Sequence, residues 1–183
     1  MKNKKSRLRI IGGHWRGQYL SFMPSENLRP TPNIVRETVF NWLGHNLCGL
    51  SCLDLFAGSG AMGFEAASRG AKKVILVEKH RETCKNLLKG IAKFNTNRVQ
   101  LYSWDALDFI RKTNETFDVV FLDPPFSKNF HVKILDLIRP LVKKGSVIHL
   151  ESNANYDIPR YFEKKRRKRA GQVLYTLLEF CPR

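Results

Sequence analysis

From residue 51 to residue 151 the chain repeats one unit, a short apolar run followed by a segment of helical spacing. The runs are "CLDLF" (52–56), "KVILV" (73–77), "RVQLY" (98–102), "FDVVFL" (117–122) and "SVIHLE" (146–151). Between them lie "AMGFEAASRGA" (61–71), which meets a stop signal at Gly70, and "HRETCKNLLKGIAKF" (80–94), with Leu87, Leu88, Ile91 and Phe94 on one stripe. "DALDFIRKT" (105–113) follows, and then "FHVKILDLIRPLVKKG" (130–145), which Pro140 kinks or shortens. Strands that alternate with helices and lack a polar face dictate a mostly parallel sheet covered on both sides, an α/β fold. The rhythm changes at the end. "YFEKKRRKR" (161–169) and "QVLYTLLEF" (172–180) flank Ala170-Gly171, a turn signal, and predict two antiparallel edge strands.

The first fifty residues do not share this rhythm. "RLRIIGGHWRGQYLSF" (7–22) predicts a small β-hairpin turning near Gly12-Gly13, and "LRPTP" (28–32) an extended loop. "NIVRETVFNWLGHNL" (33–47) predicts a helix with Ile34, Val35, Thr38, Val39 and Trp42 on its apolar face. The expected organisation is an N-terminal appendage, 1–48, packed on a core, 49–183.

Charge narrows the partner. Lys plus Arg number 32 against 16 Asp plus Glu, a net of +16, and such a field gathers polyanions. Nucleic acid is the leading expectation. An anionic membrane surface ranks second, for no basic amphipathic helix with bulky apolar anchors stands out. No apolar run approaches the roughly 18 residues of a membrane span, and no apolar signal core follows the basic N-terminus, so a cytoplasmic location is expected. Cys48, Cys52, Cys84 and Cys181 are scattered without a Cys-x-x-Cys pair or a histidine cluster, which argues against a disulfide framework or a metal site.

"LDLFAGSGAMG" (53–63) joins the first strand to the first helix, the place where open parallel sheets bind ligands. Gly58 and Gly60 permit a sharp turn and a close backbone approach. With Gly63 they also spell Gly-x-Gly-x-x-Gly, which keeps a dinucleotide in view. The acids favour another ligand. Asp54, inside the strand end, needs donors or a cation once buried and would repel a pyrophosphate. Glu78 ends the second strand and suits two ribose hydroxyls; Asp105 follows the third and suits an adenine amino group. Taken singly, Glu78 also reads as a helix-start acid and Asp105 as an N-cap. Together they describe a nucleoside with a cationic tail, S-adenosylmethionine. Phe56, Ala57, Lys79 and Ala106 flank these positions and complete the expected cofactor contacts, with Asp123 across the site.

These motifs, with "DPPF" (123–126), resemble the Rossmann-like class I methyltransferases that modify exocyclic amino groups. More closely, "RIIGGHWRGQYL" (9–20), "LRPTPNIVRETVFNWL" (28–43), "LDLFAGSGAMGFEAASRGA" (53–71), "FDVVFLDPPF" (117–126) and "GQVLYTLLEF" (171–180) resemble, in order, the bacterial RsmD family. The resemblance runs essentially end to end. It implies a seven-stranded sheet with a C-terminal antiparallel hairpin. It also implies a monomeric enzyme that methylates N2 of one guanine in 16S ribosomal RNA, presented on the small ribosomal subunit or its assembly intermediate. The run "EKKRRKRAGQVLY" is more basic than the family leads one to expect.

Chemistry explains Asp123-Pro124-Pro125-Phe126. The lone pair of an exocyclic amine is delocalised into its ring. Two acceptors that hold the amino hydrogens turn that lone pair outward and stabilise the charge that grows on nitrogen. Asp123 supplies one acceptor and the Pro124 carbonyl the other. Neither Pro124 nor Pro125 has an N–H, and a residue before proline is driven to extended backbone, so the acceptors are stiffly held. Phe126 is placed to stack on the base. The same motif serves adenine N6 in DNA or RNA, and a ribosome-assembly RNA-binding protein is the alternative of another class. For gripping RNA, Arg7, Arg9, Arg16, Arg29 and Arg36 mix with His14, Trp15 and Tyr19, and Arg29-Pro30-Thr31-Pro32 forms a stiff loop able to close over the base. Trp42 reads as core packing. Lys164 to Arg169 are six consecutive cations, of which alternation on a strand would turn about three toward RNA.

Overall fold

The computed structural model describes residues 6–22, 31–124, 130–153 and 155–182. Its main element is a seven-stranded sheet. Strands β3 (Ser51–Asp54), β4 (Lys73–Val77), β5 (Val99–Tyr102), β6 (Phe117–Leu122) and the later part of β7 (Val142–Ser152) arise from the five apolar runs. With β8 (Phe162–Ala170) and β9 (Val173–Phe180), the order is β5-β4-β3-β6-β7-β9-β8. The pairs from β5 to β7 are parallel, and β9 lies antiparallel to both β7 and β8. This is a Rossmann-like doubly wound sheet whose order reverses between β3 and β6. Only β8 of the closing pair is an edge; β9 is interior.

Helices α2 (Ala61–Ser68), α3 (Arg81–Phe94), α4 (Ala106–Lys112) and α5 (Phe130–Leu137) make the crossovers. Two apolar clusters divide the faces. One gathers Phe64, Leu87, Phe94, Val119, Phe121 and Tyr175; the other Leu53, Ile75, Phe109, Val120, Ile134 and Leu178. Pro140 does shorten its helix: α5 stops at Leu137, and a 3-10 turn, Arg139–Leu141, leads into β7. That strand begins four residues before the expected Ser146, because Ser146 Oγ donates to the Phe117 carbonyl and accepts from Lys143 N, which ties an irregular polar stretch to β6.

The N-terminal strands β1 (Ser6–Arg9) and β2 (Tyr19–Phe22) pair antiparallel, with Leu8, Leu20 and Phe22 buried in the first cluster. The connection is a loop of nine residues, 10–18, rather than a tight turn at Gly12-Gly13. It docks on the end of α2: His14 N donates to the Ser68 carbonyl, and a Cβ on Gly13 would lie 2.0 Å from that oxygen. Helix α1 (Asn33–Leu43) stops at Gly44, whose φ of 89° suits glycine, four residues before the expected end.

The buried stripe of α1 is Val35, Arg36, Val39 and Phe40, whereas Ile34 is 69% exposed. The reason is an ionic cluster. Arg36, with no exposed surface, pairs with Glu65 at 3.3 Å and donates to the Arg9 carbonyl and Asn33 Oδ1. Arg69 pairs with the other Glu65 oxygen at 3.0 Å. Similarly, the stripe of α3 is Cys84, Leu87, Gly90 and Phe94, with Leu88 turned out. The four cysteines are free thiols. No helix among the described residues is long and apolar enough to cross a membrane.

Candidate active site

The site is built at the carboxyl ends of β3, β4, β6 and β7. Strand β3 is central, with Asp54 beside Leu76 of β4 and Phe121 of β6. The chain then leaves through a turn pinned to both neighbours: Leu55 N donates to the Phe121 carbonyl and Ala57 N to the Val77 carbonyl. Gly58 and Gly60 have φ of 50° and 77°. A Cβ on Gly60 would fall 2.7 Å from Leu87 and Phe64 atoms, and one on Gly63 would fall 2.2 Å from Leu76, so packing as well as conformation demands these glycines.

Asp54 is buried, and its Oδ2 accepts from Gly63 N at 2.9 Å in the first turn of α2. Glu78 closes the turn from the other side. Its Oε2 accepts from Gly58 N at 3.0 Å and its Oε1 from His80 N at 2.8 Å. The carboxylate therefore fixes the glycine turn. Asp105 caps α4 by accepting from Leu107 N at 2.9 Å, and Lys79 lies 3.5 Å from its other oxygen. Ala57 and Ala106 are buried, and half-buried Phe56 meets Phe130 edge-on.

Asp123 follows β6 directly, exposed, with Pro124 buried behind it. Pro125, Phe126, Arg29 and Pro30 lie outside the described residues. Leu122 pairs with Leu150, so the next residue of each strand, Asp123 and Glu151, come side by side at the rim. Glu151 is buried and accepts from Thr31 Oγ1 at 3.2 Å. Sequence reasoning missed Glu151, although it is an acid at the end of an apolar run, the signal that singled out Asp54 and Glu78.

Electrostatics define what these carboxylates need. Burial pushes the Asp54 carboxyl up to about 7, partly offset by the Gly63 hydrogen bond, with Asp123 and Glu78 raising it further. Asp123 is raised by loss of water to surrounding protein, although the residue as a whole is exposed. Glu151 is raised by burial and then by Asp123, against the Thr31 hydrogen bond. His149, 3.9 Å from Glu151, brings no charge, because burial lowers its pKa to about 3. Among the described residues no lysine or arginine pairs with Asp54, Asp123 or Glu151. Clustered carboxylates without a counter-charge fit a ligand that carries one, and the sulfonium and ammonium of S-adenosylmethionine do so.

The expected RNA-contact residues divide. Arg7 and Arg9 alternate with buried Leu8 and stand on the open face of the hairpin, opposite Ser21 and Tyr19; Arg16 is also exposed. Three others are corrected. Arg36 is consumed by Glu65 and has no surface to offer. Trp15 is buried, its ring stacked 4.2 Å from Phe94, because the loop presses it onto α3. Thr31 is buried too, bonded to Glu151 rather than open to a nucleic acid.

A doubly wound sheet with a glycine turn and clustered acids at its switch point defines an S-adenosylmethionine-dependent methyltransferase of Rossmann-like fold. A solved methyltransferase complexed with SAH, 15% identical with a TM-score of 0.73, shares that fold over 98% of this chain and 57% of its own. Residues 8–179 match the family described as "Conserved hypothetical protein 95", and the chain belongs to it, the RsmD family. "Ribosomal RNA small subunit methyltransferase D" of Escherichia coli is 37% identical over 177 residues, 94% of this chain and 89% of that one. Its Haemophilus influenzae counterpart is 37% identical over 185 residues, 97% and 96% of the two chains. The solved Escherichia coli protein yhhF is 36% identical with a TM-score of 0.88, covering 97% of this chain and 100% of its own.

Proposed function

We propose that this protein transfers a methyl group from S-adenosylmethionine to the exocyclic N2 of a guanine in small-subunit ribosomal RNA. The observation that carries the chemistry is Asp123, an exposed aspartate that leaves β6 into proline beside the Asp54 turn. The relatives named for small-subunit RNA support the substrate class.

When bound, the cofactor supplies an electrophilic methyl group on a sulfonium. Asp54, Glu78 and the Gly58–Gly60 turn hold it, with Phe56, Ala57, Lys79, Asp105 and Ala106 around the nucleoside. Asp123 and the Pro124 carbonyl accept the two amino hydrogens of the base, directing the nitrogen lone pair at the methyl carbon. As the N–C bond forms and the S–C bond breaks, negative Asp123 stabilises the cationic nitrogen and is placed to take the departing proton. Phe126 stacks on the base, which must be unpaired or extruded to reach the rim. Arg7, Arg9 and Arg16 contact phosphates. The enzyme acts as a monomer in the cytoplasm, on the small ribosomal subunit or its assembly intermediate, with residues 1–48 serving as an RNA-binding appendage to the catalytic core.

The test is methylation with labelled S-adenosylmethionine of small subunits, naked 16S RNA and DNA, followed by nucleoside mass spectrometry. N2-methylguanosine is expected. N6-methyladenosine, or no transfer to RNA, would overturn the assignment.

A further inference from the structure

The basic run 164–169 forms β8, the sheet edge, and the structure sorts its cations. The ladder slips between Lys164 and Arg166, so simple alternation fails there. Bulged Lys165 is neutralised by Glu163 at 3.1 Å and Glu179 at 3.0 Å. Arg167 turns inward, bonded to Thr176 Oγ1 at 3.2 Å and lying over the Tyr156 ring. Lys164, Arg166, Lys168 and Arg169 are exposed, without a carboxylate partner among the described residues.

Cross-strand partners share a face. Arg166 opposes Leu177, and Lys168 opposes Tyr175, on which Trp42 of α1 packs at 5.6 Å. Arg166 and Lys168 therefore project on the side of the sheet that carries α1. Lys164 and Arg169, opposite Leu178 and Leu174, project on the other side. The ladder also gives their distance from the chemistry. Lys168, Tyr175 and Glu151 form one row across β8, β9 and β7, and Asp123 continues it on β6. Three strand spacings separate Lys168 from Asp123, about 14 Å along the carboxyl rim.

We propose that Arg166 and Lys168 form a second phosphate-contact strip for the RNA substrate, flanking the base site on the face shared with α1. This rests on the RNA reading above. A base held at Asp123 brings its neighbouring phosphates along the rim, where they meet Lys168 in that row and Arg166 two residues further along the same face, opposite Leu177 and His149. The competing role for edge cations is to prevent strand-to-strand aggregation, which needs no particular face.

The test compares Arg166→Gln/Lys168→Gln with Lys164→Gln/Arg169→Gln in the full chain, using naked 16S RNA as the probe across a range of KCl. The first pair should lower the slope of log affinity against log salt by about 1.4, at about 0.7 per lost contact on single strands. It should also raise KM for RNA several-fold, leaving kcat and S-adenosylmethionine affinity as in wild type. The second pair should change the slope by less than half as much. Equal effects of the two pairs, an unchanged slope, or increased aggregation alone would overturn the strip. Wild-type methylation is measured alongside. If wild type methylates small subunits or naked RNA and the slope is unchanged in the variant, only the strip fails; if wild type methylates neither, the functional reading fails with it.

Discussion

Glu65→Gln tests how the N-terminal segment is joined to the core. Glu65 has no exposed surface, and its two oxygens serve Arg36 at 3.3 Å, Arg69 at 3.0 Å and Ile11 N at 3.0 Å. Glutamine keeps the size and one acceptor but removes the negative charge that, among the described residues, faces both buried guanidiniums. Burial already lowers the Arg36 pKa, with Arg69 pushing the same way, so Glu65 alone favours its charged form. Breaking a buried pair by removing one partner costs about 3–5 kcal/mol, a large share of the roughly 5–15 kcal/mol that stabilises a domain. For a chain of this size that lowers Tm by about 6–20 °C. Far-UV circular dichroism during thermal and urea unfolding reads it. In a double-mutant cycle with Arg36→Met, the double variant should cost less than the sum of the singles by at least about 1 kcal/mol, since each single strands a different charge. A loss under about 1 kcal/mol for Glu65→Gln would refute the claim that this cluster anchors α1 and the hairpin loop to α2.

Asp123→Ala should retain cofactor affinity while kcat falls about 10²- to 10³-fold, read by single-turnover methylation; near-normal turnover would remove Asp123 from the chemistry. Glu78→Ala should weaken S-adenosylmethionine binding in calorimetry, because Gly58 N loses its acceptor together with any ribose contact. The Asp54 carboxyl, raised above its unfolded value, binds more protons in the native state, so its contribution to stability is present in acid and is lost as pH rises from about 4 to about 7. Ionisation favours a sulfonium, so the thermal shift given by S-adenosylmethionine should grow between about pH 5 and pH 8, and grow less for S-adenosylhomocysteine; equal growth would contradict the charge argument. Thr31→Val should raise the Glu151 pKa further, visible in a carboxyl-carbon NMR titration, because the hydrogen bond it removes is one that lowers it.

Much of this architecture was legible in the sequence for a physical reason. A strand buried on both faces reads as a bare apolar run, and each such run here became one. The glycine turn was equally plain, since Gly60 and Gly63 have no room for a Cβ. The failures share one cause: a residue whose partner lies far along the chain. Arg36 looked like a surface cation because Glu65, 29 residues away, is what lets it be buried. Thr31 and Glu151, separated by 120 residues, gave no local sign of their bond. Trp15 looked available for stacking on a base, but Phe94 already occupies its face. At β8, counting by twos could not foresee the slip at Lys165, which decides the side each later cation takes.

The interior position of β9 has a consequence for synthesis. Strand β8 leaves the ribosome before β9, its sole neighbour in the sheet, and β7 likewise waits on one side for that strand. Until then the nascent chain presents a long edge next to Leu150 and Ile148, which becomes covered only when Val173–Phe180 slides in between.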